Sequence, residues 1–102
     1  MKLRPVVYGG TIKGWAFYCP GCERIHVYFT EGTITWAFNG DREHPTFTPS
    51  LLNKSSDNPD PKQRQCHLNL TSGKLQYHGD CSHGLAGKLV DLPDWPWETG
   101  SS

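Results

Sequence analysis

The sequence has no long hydrophobic run. None of its 102 residues lie in a stretch approaching the roughly 20 apolar residues that a membrane-spanning helix needs. Met1-Lys2-Leu3-Arg4-Pro5 carries positive charge with no apolar segment behind it, so no secretory signal is expected and the chain is assigned to the cytoplasm. It also lacks an excess of charge of either sign. Ten basic side chains face ten acidic ones, running about +2 over residues 1–40, zero over 41–80 and −2 beyond. Nucleic-acid binding needs a basic stripe to displace counterions, and none is present. Hydrophobic residues make up only 35%. A domain this small buries only about two-thirds of its unfolded surface, so a staple would help it.

Several catalytic signatures are missing as well. No His-x-Glu precedes a cysteine pair, and Arg42-Glu43-His44 has the acid before the histidine. That excludes the zinc-deaminase pattern. His-Glu-x-x-His and a phosphate loop are also absent.

What is present is turn chemistry, aromatics and cysteine. Eleven Gly and eight Pro disfavour long helices and favour short strands. Val6-Val7-Tyr8 reads as a strand closed by Gly9-Gly10. Residues 15–19 alternate, with Trp15, Phe17 and Cys19 on one face. After Cys19-Pro20-Gly21-Cys22, Ile25, Val27 and Phe29 alternate with His26 and Tyr28, which puts His26 on the polar face. Ile34, Trp36 and Phe38 mark a third run ended by Asn39-Gly40. The segment from His44 to Ser50, with two prolines, is expected to be extended and little paired. Residues 53–64 read as a mobile loop. Cys66, Leu68 and Leu70 alternate into a second hairpin with Leu75 and Tyr77. Ser82 is placed to cap one helical turn, and Leu89 to Leu92 is a last strand. Trp95 and Trp97 are expected to cover an open edge.

The expected fold is mainly β, small α+β at most. It is a set of compact zinc-ribbon-like β-hairpins forming a single domain over residues 1–97, followed by a disordered tail at 98–102.

Four cysteines in a cytoplasmic chain read as metal ligands before disulfides. Cys19-Pro-Gly-Cys22 forms a knuckle in which two sulfurs point at one ion, and its β-patterned flanks favour zinc over a redox pair. Cys66 and His67 are neighbours on a strand and face opposite ways. Cys66 shares its face with Leu68 and Leu70, so it looks inward. The expected zinc ligands are therefore Cys19, Cys22, Cys66 and Cys81, with His83 as an alternate in place of Cys66.

The five histidines supply a second theme. A shared metal centre draws His67, Asp80 and His83 close to it. A carboxylate beside imidazoles is an acid–base arrangement, so these three are the catalytic candidates, with His26 or His44 nearby. His26, His44 and Ser50 are the ligand-binding candidates. For Ser50 and Thr46, turn hydrogen bonding is the competing role.

The combined pattern is Cys19-Pro-Gly-Cys22, His26, Trp36-x-x-Asn39-Gly40, Pro45-Thr46-x-x-Pro49-Ser50, Cys66-His67, Gly73 and Asp80-Cys81-x-His83-x-Leu85-Ala86-Gly87. It resembles a small phage and prophage protein family of unknown function, whose members often carry the name ammonia monooxygenase. The resemblance spans roughly Phe17 to Trp97. It implies a bacteriophage or prophage origin and an accessory role in the bacterial cytoplasm. Monooxygenase activity is not carried over, because the sequence has neither a membrane span nor a copper-site pattern.

Two functions follow. One is a zinc-stabilised module that binds a host protein or small molecule and could antagonise host defence. The alternative is a small zinc-dependent enzyme, of the hydrolase class, using His67, Asp80 and His83.

Overall fold

The computed structural model describes residues 2–96. Trp97 and the tail at 98–102 lie outside the described residues. The chain forms two antiparallel sheets in which every strand pairs with its sequence neighbour. The first contains β1 (Arg4–Tyr8), β2 (Thr11–Cys19) and β3 (Arg24–Phe29). The second contains β4 (Ala37–Phe38), β5 (Phe47–Lys54), β6 (Gln65–Thr71), β7 (Lys74–Tyr77) and β8 (Leu89–Asp91). Among the described residues no helix is long and apolar enough to cross a membrane.

Turn residues account for this meander. Tyr8 pairs with Thr11 across Gly9 and Gly10, whose φ angles of 60° and 79° are left-handed. A two-residue turn of that hand matches the twist of a hairpin and suits glycine. The inner faces of the two sheets share one core of Trp15, Phe17, Tyr28, Phe47, Leu51, Leu68, Leu70, Leu75 and Tyr77. Phe47 joins them directly. Its ring stacks on Tyr28 at 4.3 Å and on Phe38 at 4.5 Å. Arg4 lies over the Trp95 ring, so the C-terminal aromatic segment meets β1.

Several expectations are corrected. On β3 the phase is inverted, with His26 and Tyr28 buried while Phe29 is exposed. The β2–β3 register pairs Phe17 with His26 and Trp15 with Tyr28, so the inward face of β2 dictates that of β3. The run from Ile34 shrinks to β4, and Ile34 is 72% exposed. The Pro-rich segment enters the sheet: Phe47 and Thr48 pair with β4, and the register with β6 shifts between Phe47 and Leu51. The bond between Thr48 and Pro49 is cis.

Residues 53–64 are tied down. Asp60 caps a short 3-10 turn over Pro61–Gln63, Lys62 pairs with Glu23, and the Gln63 amide donates to the Cys22 carbonyl. Ser82 caps no helix. Its hydroxyl accepts from the Gln65 N–H and donates to the Gln65 carbonyl, holding the loop after β7 against β6.

Candidate functional site

β6 is the strand from which the site is built, because its two faces carry different chemistry. Cys66, Leu68 and Leu70 are buried, whereas His67 and Asn69 face outward and are half-buried.

On the inner side, the sulfurs of Cys19, Cys22 and Cys66 and a ring nitrogen of His26 all lie within 4.8 Å of one another, and all four residues are buried. They are close enough to hold a metal ion. Two observations test the fit. Cys19 Sγ and Cys66 Sγ are 3.8 Å apart. A tetrahedron with Zn–S bonds of about 2.3 Å has edges of about 3.8 Å. His26 Nε2 is buried with no hydrogen-bond partner, while Nδ1 lies 2.7 Å from the Asn53 side-chain amide. A buried imidazole nitrogen without a partner, on a residue grouped with three sulfurs, fits a metal ligand.

The electrostatics agree. Cys19 is held far below the ordinary thiol range by hydrogen bonds from Cys22 and Cys66. Those two are raised in turn by their bonds to Cys19, Cys22 to about 12. A divalent ion binds such sulfurs as thiolates, and their protons are released when it binds. Further donors surround the sulfur. Tyr77 Oη is 3.1 Å from Cys19 Sγ, and the Cys22 N–H donates to the same sulfur at 3.4 Å.

The arrangement differs from the four-cysteine set. His26, expected on the polar face, stands with Cys19, Cys22 and Cys66, while Cys66, Cys81 and His83 form a second group that is also close enough to hold an ion. The Cys81 thiol accepts from the His67 N–H at 3.3 Å and donates to the His67 carbonyl at 3.2 Å. Burial raises it, which keeps its proton on. His83 is buried with Nε2 3.5 Å from Cys66 Sγ, while its Nδ1 accepts from the Leu85 N–H. That leaves the Nε2 proton to point at sulfur. The ring packs so tightly on the knuckle that a Cβ at Gly21 would lie 2.3 Å from it. His83 thus belongs with the sulfurs and not beside His67 and Asp80.

On the outer face a different set converges. Ser50 Oγ is 3.2 Å from His67 Nε2, and His67 Nδ1 is 3.3 Å from Asp80 Oδ2. Leu52 pairs with His67 across β5 and β6, which brings Ser50 alongside the ring. Asp80 is held from the other side by the Gln65 amide at 3.0 Å. His78 stacks on His67 at 3.9 Å and 13°, and its own Nε2 lies 2.6 Å from Asn69 Oδ1. With Nδ1–H donating to the carboxylate, His67 Nε2 is free to accept the Ser50 proton. A hydroxyl, an imidazole and an orienting carboxylate in that order have the geometry that a nucleophile, a base and its positioner require.

The model of the family described as bacterial ubiquitination-like system serine protease, BubE, matches residues 3–78 of the chain. The chain belongs to the BubE family. No curated protein and no solved structure matches it. The BubE match covers Ser50, His67, Cys19, Cys22, His26 and Cys66, and it ends before Asp80, Cys81 and His83.

Of the remaining candidates, His44 is exposed and 3.7 Å from Asp41, away from both clusters. Thr46 accepts from the Ser72 N–H, a turn bond. His78 and Asn53 carried no signal of their own in the sequence. His26 did, through the parity imposed by the facing strand β2.

Proposed function

We propose that this chain is a serine hydrolase that cleaves amide bonds in proteins of a bacterial ubiquitination-like system. The observation that carries the reading is the unbroken hydrogen-bonded order Ser50, His67, Asp80 on a solvent-facing strand face. The family description supports it. It takes up the hydrolase alternative over the binding-module reading, because a binding module has no need of a hydroxyl, imidazole and carboxylate in this order.

Ser50 Oγ attacks the acyl carbonyl as His67 Nε2 takes its proton. His67 then gives that proton to the leaving nitrogen, the C–N bond breaks, and an acyl ester remains on Ser50. Water, deprotonated by the same imidazole, cleaves the ester and restores the hydroxyl. Asp80 holds the ring in place throughout.

Zinc is the proposed ion, held by Cys19, Cys22, Cys66 and His26. When bound it supplies a structural link and no chemistry at Ser50. Cys66 adjoins His67 on β6, so the inner cluster fixes where His67 stands. A phage or prophage gene would place this hydrolase in a bacterial host's cytoplasm, with a host protein as its substrate.

A fluorophosphonate probe tests the reading. Wild-type protein should be labelled at Ser50, Ser50→Ala should not, and His67→Ala should react slower by about 10³-fold or more. Labelling that persists in Ser50→Ala, or its absence from folded wild-type protein, refutes the proposal.

A further inference from the structure

The edge of the second sheet next to Ser50 is the unassigned feature that the geometry develops furthest. Main-chain groups alternate along β5. Ser55 donates its N–H to the Arg64 carbonyl at 2.8 Å, and in the same register Asn53 pairs with Cys66 and Leu51 with Leu68. Residues 51, 53 and 55 therefore turn their N–H and C=O groups toward β6, and Leu52 and Lys54 turn theirs away. Ser50 follows the same alternation, since its carbonyl accepts from the Trp36 indole on the side opposite β6.

On that side β5 is covered only by β4, which ends at the pairing of Ala37 with Thr48. Among the described residues no strand lies beside Leu52 and Lys54. Leu52 is 47% exposed.

We infer that this edge binds an extended peptide as an added strand, which carries the acyl side of the scissile bond to Ser50. The inference rests on the hydrolase reading above and names how its substrate is held. Main-chain bonds to Leu52 and Lys54 supply affinity that depends little on side chains. A strand in line with β4 and antiparallel to β5 runs from Lys54 toward Ser50. Its residues before the scissile carbonyl then lie along the edge. The Trp36 indole stands where the peptide would continue, so the leaving side must turn out of the sheet. The preferred substrate is thus a flexible tail or linker, not a folded surface.

Proline substitution isolates the edge, because Leu52→Pro and Lys54→Pro each remove an outward N–H and no bond to β6. Cleavage of a pool of unstructured synthetic peptides is compared with hydrolysis of p-nitrophenyl acetate, whose acetyl group is too short to form a strand. The expected result is about a tenfold fall in the ratio of peptide to ester turnover, expressed in KM for peptide, with the ratio kept in Leu52→Ala. Independently of any protein variant, methylating successive backbone nitrogens on the acyl side of a cleaved peptide should block cleavage at every second position. A ratio unchanged in the proline variants, or blockage without that alternation, overturns the inference. So does a wild-type enzyme that reacts with fluorophosphonate at Ser50 yet cleaves no peptide in the pool. Failure of the fluorophosphonate reaction itself would instead overturn the hydrolase reading.

Discussion

Removing the metal should unfold the protein and silence Ser50 in a single transition. The cluster links Cys19 at the end of β2 to Cys66 in β6, 47 positions apart. Freeing a loop of that length restores about 4 kcal/mol of chain entropy to the unfolded state. A domain of this size is stable by only about 5–15 kcal/mol, so this is a large share. The three buried sulfurs and His26 Nε2 would also be left without their shared partner. On the loop term alone the melting temperature should fall by about 15–30 °C. The assay is a chelator titration followed by near-ultraviolet circular dichroism and by the rate of fluorophosphonate labelling. The two curves should superimpose, and cadmium should restore both, since the ion is needed for position and not for chemistry. Labelling lost while the fold persists would refute the reasoning by placing the ion in the reaction. Retention of both signals in metal-free protein would show that the cluster is no staple.

Three further outcomes follow from single contacts. His78→Ala should slow Ser50 labelling several-fold without a matching loss of stability, whereas His78→Phe, which keeps a ring against His67, should retain most of it. Gly21→Ala puts a methyl 2.3 Å from the His83 ring and should cost about 1–3 kcal/mol, measured by urea unfolding. Lowering the pH should release the ion, because protons compete with it for the sulfurs; metal content after dialysis at stepwise lower pH checks this.

Much of the architecture was legible because turns and alternation are local. β6 and β7 follow from the phase of Cys66, Leu68, Leu70, Leu75 and Tyr77, and the Gly9-Gly10 turn marks the first hairpin. β3 misled because Ile25 and Val27 are more apolar than His26. Side-chain polarity alone cannot tell a buried imidazole from an exposed one. The facing strand could have decided it, since Phe17 and His26 are cross-strand partners. Ser50 lay beyond local reading. It meets His67 only through the pairing of β5 with β6, and a proline-interrupted strand carries no pattern that sets this register. Cys81 is a ligand candidate by residue type and lies near Cys66 and His83, and its sulfur also meets the backbone of His67, a contact no spacing rule describes.

The order of strands has a consequence for how the protein matures. Within each sheet every strand pairs with its neighbour in sequence, so both meanders form through local contacts and can assemble quickly. Neither has another surface on which to bury its inner face, and their union spans the 47-position gap from Cys19 to Cys66. With zinc as the closing element, newly made chains would not hold the two sheets together until the ion arrived. The appearance of folded protein in a cell would then follow metal supply and not the rate of strand pairing.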